Sequence, residues 1–551
     1  MIPSITRLHL VELAPALLPF GLVVGVGLDG GGYAATAWGW STVAPLALVL
    51  VALATGIARS PGLLARLFLT LIVAFAGWTL LSVAWSRDVS QSMLDAERTI
   101  VYVGSAAAFL IVGRRHAPRF VAGLLSGIAV LCAWALGERA LGGSGAYDVG
   151  SGAPEAARRL AAPLGYSNSL GLVAAVGALL GAGLAFRART PRGRGTATAT
   201  LLLTLPTLFF TYSRGAWLAL AIGAVTAVAA SRPRVPRPVA VGAAVAVVGA
   251  VAVALVHVGG PVGAYHAFSR SGPTVKANES SRLLTLSGSS RAQYWHAAWT
   301  DYTRRPLLGS GAGSFQRWWL AHRPAALPVL DAHSLYLETL AELGPVGLAL
   351  LVCALPLPLL AAIRARAEPL VAVVLGGYTA YLVHAAQDWD WELPAATLVA
   401  IACGVALLVL AERDREPLGA RSRALAAAVA ALVALAALGA LVGNAKLASA
   451  ARDLDESHLR GAASIARSAE GWVPWSAAPW RLLGEAQLAE GNVDGAGATF
   501  REAVRKDGGD WESWLDLALA TRGAERRAAL DHVRRLNPLA PELAQVSSSG
   551  R

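Results

Sequence analysis

Charge is scarce in this 551-residue chain. Asp, Glu, Lys and Arg together make up 15% of it, against 55% for the hydrophobic residues. Soluble domains carry about 25% charge, so too little polar surface is left to keep a chain of this length dissolved. Cysteine is scarcer still: Cys132, Cys353 and Cys403. All three lie in apolar runs, with no CxxC and no neighbouring His, which argues for small buried hydrophobes rather than a structural disulfide or a zinc site. A nucleotide-binding signature is also missing. Gly309, Gly311 and Gly313 form a GxGxG, but it neither follows a strand nor opens a nucleotide-binding unit, so it reads as a turn. The formal charge of +12 points to the loops of a membrane protein rather than to nucleic acid, because excess Lys and Arg collect on the cytoplasmic side.

What is abundant is apolar run. A stretch of about 20 apolar residues crosses a bilayer core, and thirteen candidates stand out: 10–28, 35–58, 63–85, 99–113, 119–138, 168–187, 197–212, 214–231, 239–257, 344–363, 369–386, 393–411 and 423–445. The first resembles a signal peptide, but Pro15 and Pro19 interrupt it and the next span follows at once, so it reads as a retained helix. With the N-terminus inside, the cytoplasmic loops hold eighteen arginines, among them Arg114, Arg115, Arg187, Arg364 and Arg415; the short outside loops hold six. That asymmetry has the sign the positive-inside rule requires. It predicts an all-α, polytopic protein of about 12–13 transmembrane helices. The loop at about 258–343 and the tail would lie outside.

After Asn444 the composition turns to mixed polar helix. Trp480, Leu483, Gly484, Ala496, Phe500 and Ala503 fall on the offsets of a tetratricopeptide repeat, and Trp514 lies 34 residues after Trp480. Gln487 replaces the usual aromatic. The expected division is a membrane domain over 1–445 and a helical-repeat domain over 446–551, the latter a docking surface without a catalytic cluster.

A long loop in a compact protein is usually functional, and the chemistry-bearing residues gather there. Ser290-Arg291-Ala292-Gln293-Tyr294-Trp295 precedes the glycine stretch, and Asp331-Ala332-His333-Ser334-Leu335-Tyr336-Leu337-Glu338 closes the loop. Tyr212-Ser213-Arg214-Gly215 forms a turn between two spans on the same face. Arg214 and Arg291 would be permanent cationic forks at the membrane surface, suited to phosphate; a bland alternative has them pairing with lipid head groups. His333 can take a proton near neutral pH, although a lone His at such a place also serves as a plain interface residue. His257, His266, His296 and His322 show no metal-ligand spacing on a clear helix face.

These segments together resemble the O-antigen ligase and polymerase superfamily of membrane glycosyltransferases, over roughly residues 60–412. The matching pieces are Tyr212-to-Gly215, Arg291-x-x-Tyr294-Trp295, Pro306-to-Gly313, His333-Ser334-x-Tyr336-Leu337 and Leu343-Gly344. Gly165-to-Asn168 and His384-to-Trp391 are weaker matches. The resemblance implies a GT-C-like enzyme of the cytoplasmic membrane that needs no metal or other cofactor. It would transfer a glycan from undecaprenyl diphosphate to an acceptor hydroxyl on a glycan, lipid or protein. Arg214 and Arg291 would hold the diphosphate and His333 would activate the acceptor. Tyr294, Tyr336, Asp331 and Glu338 would support them, with either carboxylate a rival for the role of base. Ligase, polymerase and protein-directed transferase are not separated by these residues. A transporter is disfavoured, since the span centres are almost free of charge while the notable residues cluster at one face; a scaffold using only the tail is the other competing class.

Overall fold

The computed structural model describes residues 4–142, 159–231, 266, 290–412 and 415–548. Among these residues the regular structure is helical and no strand is present. The first eight helices are α1 (Ser4–Leu28), α2 (Ala35–Ala54), α3 (Leu63–Leu81), α4 (Val89–Leu110), α5 (Ala117–Ala140), α6 (Ser167–Arg187), α7 (Pro191–Phe210) and α8 (Arg214–Ala230). Two short loop helices follow, α9 (Arg291–Arg304) and α10 (Phe315–His322), then α11 (Leu335–Ala354), α12 (Pro356–Arg364), α13 (Pro369–Ala385) and α14 (Pro394–Leu410). Of α14 every residue but Ile401 is buried. Its uniformly apolar sequence makes it a central post, against which α1, α4, α5, α12 and α13 pack.

Among the described residues six helical stretches are long and apolar enough to cross a bilayer, and α8, α13, α14 and the Glu12–Leu28 part of α1 are shorter apolar helices. The thirteen expected spans therefore fare unevenly. The run at 239–257 lies outside the described residues, as does most of the loop over 258–289. The run at 99–113 is only the end of α4, whose start at Val89 carries Asp95 and Arg98 into buried positions. The run at 197–212 falls in α7, which contains Pro206 and several threonines. The run at 344–363 belongs to a longer stretch, Leu335–Arg364, because α12 continues almost directly from α11. Cys132 and Cys403 are buried as expected; Cys353 is exposed on α11, so the reading of all three as buried hydrophobes fails there.

Two ends of the bundle differ in chemistry. At one, loops between spans meet through arginines: Arg114 pairs with Glu368, Arg187 donates to the Pro369 carbonyl at 2.6 Å, and Arg415 donates to the Leu110 carbonyl at 2.6 Å. The other end gathers the starts of α6, α8, α11 and α14 and the end of α13. There the glycine stretch is a turn, as expected. Gly309, Gly311 and Gly313 have φ of +72°, +101° and +68°, a region open to glycine at little cost. A Cβ on Gly309 would stand 2.3 Å from the Glu342 carbonyl, and one on Gly311 2.4 Å from the Ser86 side chain. The turn is thus pressed between α11 and the start of α4.

The last span, α15 (Ala420–Asp455), runs through the 445/446 boundary without a break. Its 36 residues measure about 54 Å, more than a hydrocarbon core of about 30 Å, so it carries the chain to the glycine-turn end. There α16 (Leu459–Ala469), α17 (Ala478–Ala489), α18 (Val493–Lys506), α19 (Trp511–Ala520), α20 (Gly523–Leu536) and α21 (Glu542–Ser548) follow. Each of α16–α20 packs on the next in sequence. Leu483, Gly484, Ala496, Phe500 and Ala503 are buried between them, and a Cβ on Gly484 would stand 2.5 Å from the Phe500 ring. This tail rests on α10: Arg317 bridges Asp88, at the start of α4, and Asp507, while Arg323 donates to the Asn537 side chain at 2.8 Å.

Candidate active site

Asp388 is the hub. It lies just past α13 and is buried. Its carboxylate accepts from Tyr166 Oη at 2.7 Å, Asn168 Nδ2 at 2.8 Å, Arg291 Nη2 at 2.9 Å and its neighbour Trp389's amide at 3.0 Å. Burial pushes this carboxyl up, but Arg291, His384 and His333 together overcome that and hold it at about 2. Arg291 opens α9 and is pinned twice, since its Nε also donates to the Gln387 carbonyl at 2.5 Å. Burial lowers the guanidinium's proton affinity; the adjacent Asp388 more than restores it. Arg291 is therefore a fixed cation, as electrostatic preorganisation demands.

His333 stands just ahead of α11. Its ring lies 5.2 Å from that of Tyr294 and 6.3 Å from that of Trp389, centroid to centroid. Nδ1 is 2.9 Å from the Asp331 backbone carbonyl. A carbonyl only accepts, so Nδ1 carries the hydrogen, and in the neutral ring Nε2 keeps the lone pair. Burial, with Arg291 adding to it and Asp388 opposing, lowers this imidazole to about 4. At neutral pH the ring is uncharged and able to accept a proton.

The third piece is the turn before α8. Arg159 braces it, donating through Nε to the Thr211 carbonyl at 2.9 Å and through Nη2 to Asn168 Oδ1 at 2.6 Å. Ser213 caps α8, its Oγ accepting from the Ala216 amide at 3.3 Å. Gly215 packs on the end of α13: a Cβ there would stand 3.0 Å from His384 Nε2 and 3.2 Å from Gln387 Nε2. Arg214 thus sits beside the segment whose carbonyl holds Arg291. Among the described residues four non-glycine residues have left-handed φ, and three are Tyr212, Ser290 and His333. Such a conformation costs roughly 1–2 kcal/mol per residue. All three lie in or beside the segments that carry Arg214, Arg291 and His333, where backbone strain is commonly stored.

Of the residues singled out in the sequence, Arg214, Arg291, His333 and Tyr294 converge here. Tyr336 donates to the Leu382 carbonyl at 3.2 Å, tying α11 to α13. Asp331 and Glu338 do something else. The imidazole is oriented by the backbone carbonyl of Asp331, and the two carboxylates group with Glu392 on the side toward α4. Their oxygens lie within 4.8 Å of one another, and Glu338 also accepts from the Ala332 amide at 2.5 Å. That grouping is the arrangement among the described residues that could by geometry hold a cation. The Arg98 guanidinium already forks onto Glu392 and Asp95 and supplies positive charge there. Burial first, with Asp95 and Asp388 adding and Arg98 opposing, pushes the Asp331 carboxyl up to about 7.

In the sequence Asp388, Gln387, Tyr166 and Asn168 carry no role of their own and belong only to the weaker family matches. The available signal was polar residues packed into a few positions between two apolar runs, where each needs a partner.

Compared with known proteins, residues 199–352 match the family model described as O-antigen ligase. No curated protein matches the chain.

Proposed function

We propose, with the O-antigen ligase match over residues 199–352 as the premise, that this site transfers a glycan from an undecaprenyl diphosphate carrier to an acceptor hydroxyl. The observation that supports it most is convergence. Three segments distant in sequence, those of Arg214, Arg291 and His333, meet on one short stretch, His384–Trp389.

The chemistry follows from the fixed groups. The acceptor oxygen attacks the anomeric carbon and its proton passes to His333 Nε2. The bond from that carbon to the diphosphate oxygen breaks, and the electron pair leaves with the diphosphate. Arg214 and Arg291 hold the charge that develops, at no cost of reorganisation. A base on the side opposite the leaving group gives inversion. An imidazole at about 4 is a weak base in the free protein. The arriving diphosphate raises its proton affinity, so the base strengthens once the donor is bound. The positive-inside rule places the arginine-linked end in the cytoplasm and the site and tail outside. The tail, read as tetratricopeptide-like hairpins, would serve as a docking surface for a protein or acceptor.

The test is transfer by purified protein from undecaprenyl diphosphate-linked glycan to candidate acceptors, followed by mass spectrometry. The mass of the product separates a ligase from a polymerase or a protein-directed transferase. Retained anomeric configuration would refute the inverting step.

A further inference from the structure

The start of α8 faces more donors than its arginine. A 17-residue helix leaves its first amide hydrogens without intrahelical partners and carries the positive end of its dipole there. Against that turn stands His384, whose side chain is 0% exposed. Its Nδ1 donates to Asp390, and the other Asp390 oxygen accepts from Ser169 Oγ at 2.7 Å. The ring is thereby locked with Nε2 toward Gly215, and Gln387 Nε2 lies beside it. Among the described residues neither nitrogen has a hydrogen-bond partner. Buried polar atoms are rarely left so, and an amide nitrogen beside an imidazolium Nε2 at one helix N-terminus calls for an acceptor-rich anion. Gly215 makes the arrangement fit, because a Cβ would crowd both nitrogens.

We infer that the first turn of α8, His384 Nε2 and Gln387 Nε2 form a second phosphate subsite beside Arg214. It takes one phosphate of a prenyl diphosphate while Arg291 takes the other. The inference rests on the donor reading above and adds ligands to it. Gln387 links the halves, its carbonyl fixing Arg291 and its side-chain amide facing α8. A His384 imidazolium, paired with Asp390 through Nδ1, presents its second proton on Nε2 to the ligand. No proton need leave the site, and the imidazolium adds a positive charge opposite the diphosphate.

The experiment measures binding of farnesyl diphosphate, farnesyl monophosphate and inorganic pyrophosphate to the full chain in detergent. His384→Phe and Gln387→Met should each weaken farnesyl diphosphate about tenfold or more, the size of one lost charge-assisted hydrogen bond. Pyrophosphate should show the same dependence, and the monophosphate, held at Arg291, should change little. Wild-type diphosphate binding by both variants, with loss in Arg291→Ala, would overturn the subsite and leave the transferase reading standing. Equal weakening of mono- and diphosphate would also overturn it. Unchanged binding in Arg291→Ala as well would remove the donor reading itself. If His384→Phe does not fold, Gln387→Met decides, since it keeps the backbone carbonyl that Arg291 uses.

Discussion

At the scale of single residues, the site is a balance between one carboxylate and the cations around it. Asp388 holds Arg291 in place and is itself held by Tyr166 and Asn168. Asp388→Asn keeps much of that shape but removes the charge that orients the guanidinium, and kcat/KM for the donor should fall about 10–100-fold, as for an outer partner of a fixed ligand. Steady-state kinetics with varied donor would show it. The pH dependence carries a sign as well. A base lowered by burial is active above its own pKa and lost below it. The acid limb of kcat/KM, which reports the free enzyme, should therefore inflect near 4 rather than near 6.5. In kcat, which reports the loaded enzyme, it should move upward because the bound diphosphate favours the imidazolium. A kcat/KM limb at 6.5 would mean that another group or a solvated histidine does the work. Arg214, Arg291 and His333 stand out in the sequence as candidates because each sits in a short motif with a turn. Asp388 was not legible, because a carboxylate between two apolar runs has no periodicity to betray its partner. The left-handed backbone of Tyr212 and His333 is likewise invisible in residues that are not glycine.

At the scale of elements, the spans were legible where apolar residues dominate, as in α3 and α14, and poorly where polar residues share the helix. α4 is the clearest case: Asp95 and Arg98 shorten its apolar run, yet both are buried and part of its packing face. The turn over Gly309–Gly313 was readable from its glycines, but its seat against α11 was not. Within α11, Gly344 has φ +66° and ψ −170°, a region essentially confined to glycine, and its missing Cβ leaves room for the Leu307 carbonyl, 2.6 Å from where that atom would stand. Gly344→Ala should destabilise the protein by about 1–3 kcal/mol. Gly77→Ala, on an open face of α3, should be neutral or stabilise by about 0.5–1 kcal/mol. Thermal unfolding in detergent compares the two; equal effects would deny the kink its structural part.

At the scale of the whole molecule, the tail and the membrane bundle are joined through the loop that carries Arg291 and His333. Arg317 lies between Asp88 of the bundle and Asp507 of the tail, with its Nη1 also donating to the Arg87 carbonyl at 2.7 Å. A Cβ on Gly509 would stand 2.4 Å from that Nη1. Removing the guanidinium leaves two largely buried carboxylates unpaired, a loss of about 3–5 kcal/mol. Arg317→Ala should raise hydrogen exchange in both 315–322 and 505–511, whereas a change confined to the tail would mean that the junction is only a surface contact. The sequence separated tail from bundle by composition. It could not reveal this junction, whose charges come from segments 229 residues apart on one side and 190 on the other.

The measurement that bears most directly on the central claim is glycan transfer from undecaprenyl diphosphate by the purified full chain, with Arg291→Ala and His333→Ala alongside. Transfer by the wild type and its loss in both variants is expected, with lipid-linked donor still bound by His333→Ala and no longer by Arg291→Ala. Transfer at the wild-type rate by His333→Ala, or donor bound equally by Arg291→Ala, would contradict it.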